Sequence, residues 1–142
     1  MELSRVLIRE LADLQIIELR EASPEDPEAP RTFPIVIGLP EAQAIERRLK
    51  GVTVKRPQTH DLLATVITQL GGTLESITIT DLAEGTFFAT LDILPPAGDS
   101  LPPTILRVDC RPSDAIALSV ASSAPIFVAR HVIDAASSET QP

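Results

Sequence analysis

Three short stretches concentrate the side chains that phosphate and proton chemistry requires: RPQTHD at 56–61, DLAEG at 81–85 and DCRPSD at 109–114. In the first, His60 and Asp61 stand at an expected helix start, where outward-pointing N–H groups and the helix dipole favour an anion and a neutral imidazole. Such an imidazole accepts a proton from water or ligates a metal, and a carboxylate orients it or completes the site. In the third, a strand end runs into another helix start. Arg111 there offers a bidentate grip on phosphate, Ser113 and free amides add donors, and Asp109 and Asp114 suit a hard cation. If these stretches converge they form a metal-assisted phosphodiesterase site. His60, Asp61 and Asp114 are its expected catalytic residues, Arg56, Arg111 and Ser113 hold substrate, and Asp81 and Asp109 hold Mg2+ or Mn2+.

These three stretches also have a purely structural account. Thr59 caps a helix, Asp61 and Asp114 complement helix dipoles, and Arg111 pairs with Asp109 or Asp81 to fix its turn. Asp81 and Gly85 are what a hairpin connection needs, with Gly85 at positive φ. Cys110 and His131 read as ordinary packing or surface residues. No Walker sequence, G-x-G-x-x-G, G-x-S-x-G, H-E-x-x-H or EF-hand loop is present, so no compact motif decides between these accounts.

Composition narrows the classes. The 142 residues are 44% hydrophobic and 23% charged, which is enough apolar material for one soluble core and too much for a disordered chain. No apolar run reaches the roughly 20 residues that span a bilayer, and charges interrupt the first fourteen residues, so neither membrane insertion nor secretion is expected. One cysteine, Cys110, excludes an internal disulfide, and a cytoplasmic location follows as the expectation. Twelve bases against 20 acids give a net charge of −8, which repels polyanions at long range. Four phenylalanines are the only aromatics, too few for a base-stacking platform. The charge is segregated, however: the segment from Arg47 to Arg56, RRLKGVTVKR, holds five of the twelve bases and no acid.

The elements that must position these residues are legible from periodicity. Residues 3–8 and 14–20 and the run FPIVIG read as strands, although the first is equally a helical turn by pattern alone. Pro40 opens a helix that Gly51 ends, and Thr59 to Leu70 forms a second, with Leu62, Leu63, Val66, Ile67 and Leu70 as its buried stripe. LESITITDLAEGTFFATLDI alternates about a turn and predicts a hairpin. TILRVD then enters a helix at Pro112, and PIFVA closes the sheet. The pairing of IVIGLPEAQAI with LRVDCRPSDAI suggests an internal β-α duplication. A single domain is expected over 1–136, with a disordered polar tail at 137–142.

PIVIGLPEAQAI (34–45), RPQTHDLL (56–63), ITDLAEGTFFATL (79–91) and VDCRPSDAIALSVASSAPIFV (108–128) stand in the order and spacing of the bifunctional nuclease family, which this sequence resembles as a bacterial member. The resemblance implies an α+β fold in which a bent, barrel-like, mainly antiparallel sheet is flanked by helices. It also implies a homo-oligomer, a dimer, and nuclease activity on RNA and DNA. By position it carries Arg56, Thr59, His60, Asp61, Asp81, Gly85, Asp109, Arg111, Ser113 and Asp114. Two competing functions remain: a non-enzymatic interaction protein whose polar residues are caps and salt bridges, and an anion sensor that binds a nucleotide or phosphorylated metabolite at the helix starts.

Overall fold

Alternating apolar residues build the first layer. Strands β1 (Glu2–Leu7), β2 (Leu14–Arg20) and β3 (Thr32–Gly38) form an antiparallel sheet in the order β1-β2-β3. The structure is a computed structural model that describes residues 2–7, 14–22, 24, 27–52, 55–96 and 104–139. Ile17 lies opposite Ile35 and Leu19 opposite Phe33, and all four are buried on one face, while Pro34 and Val36 point outwards. That is the period of two that a half-buried strand requires. The 97–103 part of the second proline-rich stretch and the last three residues of the expected tail lie outside the described residues.

Helix α1 (Leu39–Leu49) leaves β3 directly, with Pro40 in its first turn and Gly51 at φ +68 just beyond its end. After α2 (Thr59–Gln69) come β4 (Thr73–Ala83), β5 (Thr86–Leu94) and β6 (Leu106–Cys110), then α3 (Pro112–Ser122), β7 (Ile126–Val128) and α4 (Arg130–Glu139). The second sheet runs β6-β5-β4-β7, antiparallel except for β7 beside β4. Glu84 and Gly85 turn the hairpin with φ of +52 and +76, the paired positive values of a tight hairpin turn. The class is α+β, as expected. The described strands form two separate sheets and close no barrel. Each sheet contributes a three-stranded meander followed by a proline-initiated helix, β1-β2-β3-α1 and β4-β5-β6-α3, which extends the suspected β-α repeat. Helix α4 continues through Glu139, past the expected boundary at 136.

Helix α3 sits at the centre. Ala115, Ile116 and Leu118 are wholly buried, and the helix packs on α1, α2, β4 and β5. Its small residues let these neighbours approach closely. Phe33 of β3 stacks on Phe87 of β5 with ring centroids 5.7 Å apart, joining the two sheets through one aromatic contact. On the opposite face of the second sheet, Asp92 is buried yet satisfied. Its carboxylate accepts hydroxyl hydrogens from Ser76 (2.8 Å), Thr78 (2.6 Å) and Thr90 (2.9 Å).

The stripe expected to bury α2 does not do so. Leu62 is 57% exposed, Leu63 38%, Val66 42% and Leu70 74%, and α2 contains no buried residue. The helix leans on its neighbours through Ala64 and Ile67, which are half-buried. Helical spacing reports that one face is apolar; it does not say whether that face meets its own core or another surface.

Candidate functional site

The start of α3 is fixed first by its own residues. Arg111, the N-cap, donates from Nε to Asp114 Oδ2 at 2.9 Å and from Nη2 to Asp114 Oδ1 at 2.8 Å, a bidentate grip across one helical turn. Its Nη1 reaches Glu41 of α1 at 3.4 Å. The start of α2 then arrives from the other side, and His60 Nε2 stands 3.3 Å from Asp114 Oδ1. His60 and Asp114 are largely buried, with side-chain exposures of 17% and 26%. An ionised carboxylate only accepts hydrogen bonds, so the imidazole donates from Nε2, and a neutral ring in that orientation carries its lone pair on Nδ1.

These contacts set the electrostatics. Burial acts to raise the Asp114 pKa, but hydrogen bonds from Arg111 and His60, with the nearby guanidinium charge, outweigh it and hold the carboxyl below its ordinary value. The hydrogen bond to Asp114 in turn raises the pKa of Arg111, which stays charged. Burial, followed by the charges of Asp114, Asp109 and Asp92, pushes the Cys110 thiol up to about 11, so it is a poor nucleophile at neutral pH.

The cluster opens onto a cleft of about 420 Å3 between α1 and the start of α2. Glu41, Arg47, Gln58, Thr59, His60 and Arg111 line it. A smaller hollow adjoins it, sharing Arg47, Gln58 and His60 and adding Arg48 and Asp61. Sequence reasoning brought His60, Asp114 and Arg111 to this place and missed Glu41 and Arg47. The signal for Arg47 was present in the basic run that it opens.

The remaining expected residues lie elsewhere or act differently. Asp61 accepts the Gln58 N–H at 3.0 Å, so Gln58, not Thr59, is the N-cap and Asp61 supports it. Arg56 is exposed in the loop before α2, its carbonyl accepting from the Gln58 amide at 3.4 Å. Ser113 is buried and lines a different hollow, beside β3. Asp81 meets His131 at 3.3 Å and accepts the Leu82 N–H, while Asp109 is exposed on β6 opposite Thr90.

These positions do not fit a hard divalent cation. Asp114 and Glu41 face Arg111, Asp81 is paired with His131, and among the described residues no three His, Cys, Asp or Glu side chains gather as ligands. The expected metal ligands Asp81 and Asp109 therefore belong to no such group of three among the described residues.

The starts of α2 and α3 meet over one carboxylate, in a chain built of two meanders that each lead into a proline-initiated helix. Residues 25–141 match the bifunctional nuclease domain, and the chain belongs to that family. It is 37% identical over 118 residues to the uncharacterized protein Rv1829 of Mycobacterium tuberculosis (strain ATCC 25618 / H37Rv). The uncharacterized protein MT1877 of strain CDC 1551 / Oshkosh matches to the same extent. Each match takes in 83% of this chain and 63% of the relative, so the chain spans less than two thirds of the curated relatives' length. No described helix is long and apolar enough to cross a membrane.

The depressed Asp114 value makes a pH prediction. A carboxyl whose folded pKa lies below its unfolded value, about 3.9, stabilises fully above that value and loses the contribution as pH falls through the folded one. Thermal unfolding of the unsubstituted protein and Asp114→Asn should therefore differ clearly at pH 6, and the difference should begin to shrink only below about pH 4. A difference that stays constant down to pH 3 contradicts the pairing.

Proposed function

We propose that this chain hydrolyses phosphodiester bonds of RNA and DNA in the cleft between α1 and the start of α2, beside the Arg111–Asp114 pair. The observation that carries the reading is the convergence of His60 with Asp114 and Arg111 on one open hollow, in a chain of the bifunctional nuclease family. Asp114 orients the imidazole, and the free Nδ1 takes a proton from water as its oxygen bonds to phosphorus. The phosphorus–oxygen ester bond breaks, and the leaving oxygen receives a proton back from the imidazolium. Arg111, held charged, faces the phosphate oxygens. Ser113 and Arg56 flank this arrangement without entering it. The single cysteine supports a cytoplasmic setting.

A second reading has its own observation. The same bonds that orient His60 also lock two helix starts together, and the leucines of α2 are left for another surface. A non-enzymatic interaction protein needs no more than this. The exposed face also supports the homodimer that the family resemblance implies, with α2 packing against its counterpart in a second copy.

Nuclease-free protein assayed on labelled single-stranded RNA and DNA, in EDTA and with Mg2+ or Mn2+, separates the readings. Cleavage should fall about 100-fold or more in His60→Gln, a variant checked for an unchanged fold by circular dichroism. Cleavage that persists in a His60→Gln, Asp114→Asn double variant contradicts the site, and no cleavage under any condition favours the interaction protein. Light scattering coupled to size exclusion tests the dimer. The protein should run at twice its chain mass and the Leu62→Glu, Leu70→Glu variant at the chain mass, whereas a monomeric unsubstituted protein removes the proposal.

A further inference from the structure

The charges around the cleft nearly close on themselves. Arg111 is taken up by Asp114 and Glu41. Arg48 donates to the Ala121 carbonyl at 3.0 Å and lies 4.0 Å from Asp61. Lys50 pairs with Glu46 one turn away. Arg47 is the exception: it is half-buried, lines both the main cleft and the adjoining hollow beside His60, and no hydrogen bond or ion pair among the described residues engages its guanidinium. A partly desolvated guanidinium without a counter-charge is costly unless a ligand supplies one.

We infer that Arg47 is the phosphate anchor of this cleft, taking one backbone phosphate of a single-stranded polynucleotide in bidentate fashion next to His60. The inference rests on the reading of this cleft as a nucleic-acid site for the identity of its ligand. The planar fork of arginine matches two phosphate oxygens, and the contact ignores base identity, as a chain with four phenylalanines and no other aromatic requires. The position also answers the −8 net charge, because a local cation acts where long-range attraction is absent. Arg47 ends α1, where a cation complements the helix dipole. That structural role is fulfilled equally by lysine; the bidentate role is not.

Anisotropy of a fluorescently labelled oligothymidylate, titrated with the full chain at 50 mM salt in EDTA, tests this directly. Arg47→Ala should weaken binding tenfold or more and Arg47→Lys by an intermediate factor, at unchanged thermal midpoint for the lysine variant. Arg107→Ala, on the edge strand β6, should bind within twofold of the unsubstituted protein. Binding by Arg47→Ala and Arg47→Lys within twofold of the unsubstituted protein overturns the anchor, as does an unsubstituted protein that binds no oligonucleotide. The outcomes separate from those of the nuclease assay. Arg47-dependent binding without cleavage keeps the anchor and removes the hydrolysis, whereas cleavage and binding indifferent to Arg47 do the reverse.

Discussion

Asp114 holds its charge where the buried helix of this fold begins at the surface. The body of α3 is fixed by packing, since Ala115, Ile116 and Leu118 have no contact with solvent. Its first turn is held in addition by the two-bond grip of Arg111 on Asp114. The remaining reach of that carboxylate goes to His60. Helix α2 has no buried side chain of its own, so hydrophobic contact alone constrains its position weakly. Its start is tied down by polar contacts, His60 to Asp114 on one side and Asp61 near Arg48 on the other.

This constraint makes structure and chemistry the same set of bonds. A carboxylate that donates nothing accepts the Nε2–H, so a neutral imidazole carries its lone pair on Nδ1, the tautomer a proton acceptor needs. Because Arg111 already satisfies both oxygens of Asp114, the carboxylate serves to orient and offers poor ligation to a cation. A purely structural protein would use these bonds as a lock, and a hydrolase would use them as a dyad. What favours the hydrolase is the open cleft beside them, with an uncompensated guanidinium at its wall.

Much of the fold was legible because local signals agreed. Pro40 and Pro112 mark helix starts, Gly51 a helix end, and Gly85 a turn; each is a residue whose backbone preference decides its position. The class followed from those elements. The two-sheet arrangement did not, because strand pairing across long separations leaves no local trace: β7 lies parallel to β4 although some forty residues separate them. The α2 stripe shows the same limit from the other side, since Leu62 and Leu70 have the spacing of core residues and meet solvent. At the site, the residue types at both helix starts were informative, and His60, Arg111 and Asp114 do meet. Asp81 was grouped with them by type and by its position in the family pattern; its partner is His131, brought close by the α4 start, which no spacing in the sequence reveals. Asp92 was visible in hindsight through Ser76, Thr78 and Thr90, hydroxyls on the outward face of the same hairpin.

A double-mutant cycle on unfolding free energy, with His60→Ala, Asp114→Asn and the combined variant, measures the central contact without reference to activity. Side chains in one hydrogen-bonded network show coupling of about 0.5–3 kcal/mol, and this account predicts a value in that range at pH 6. Additive effects, with coupling below about 0.3 kcal/mol, would mean that the two helix starts do not hold each other.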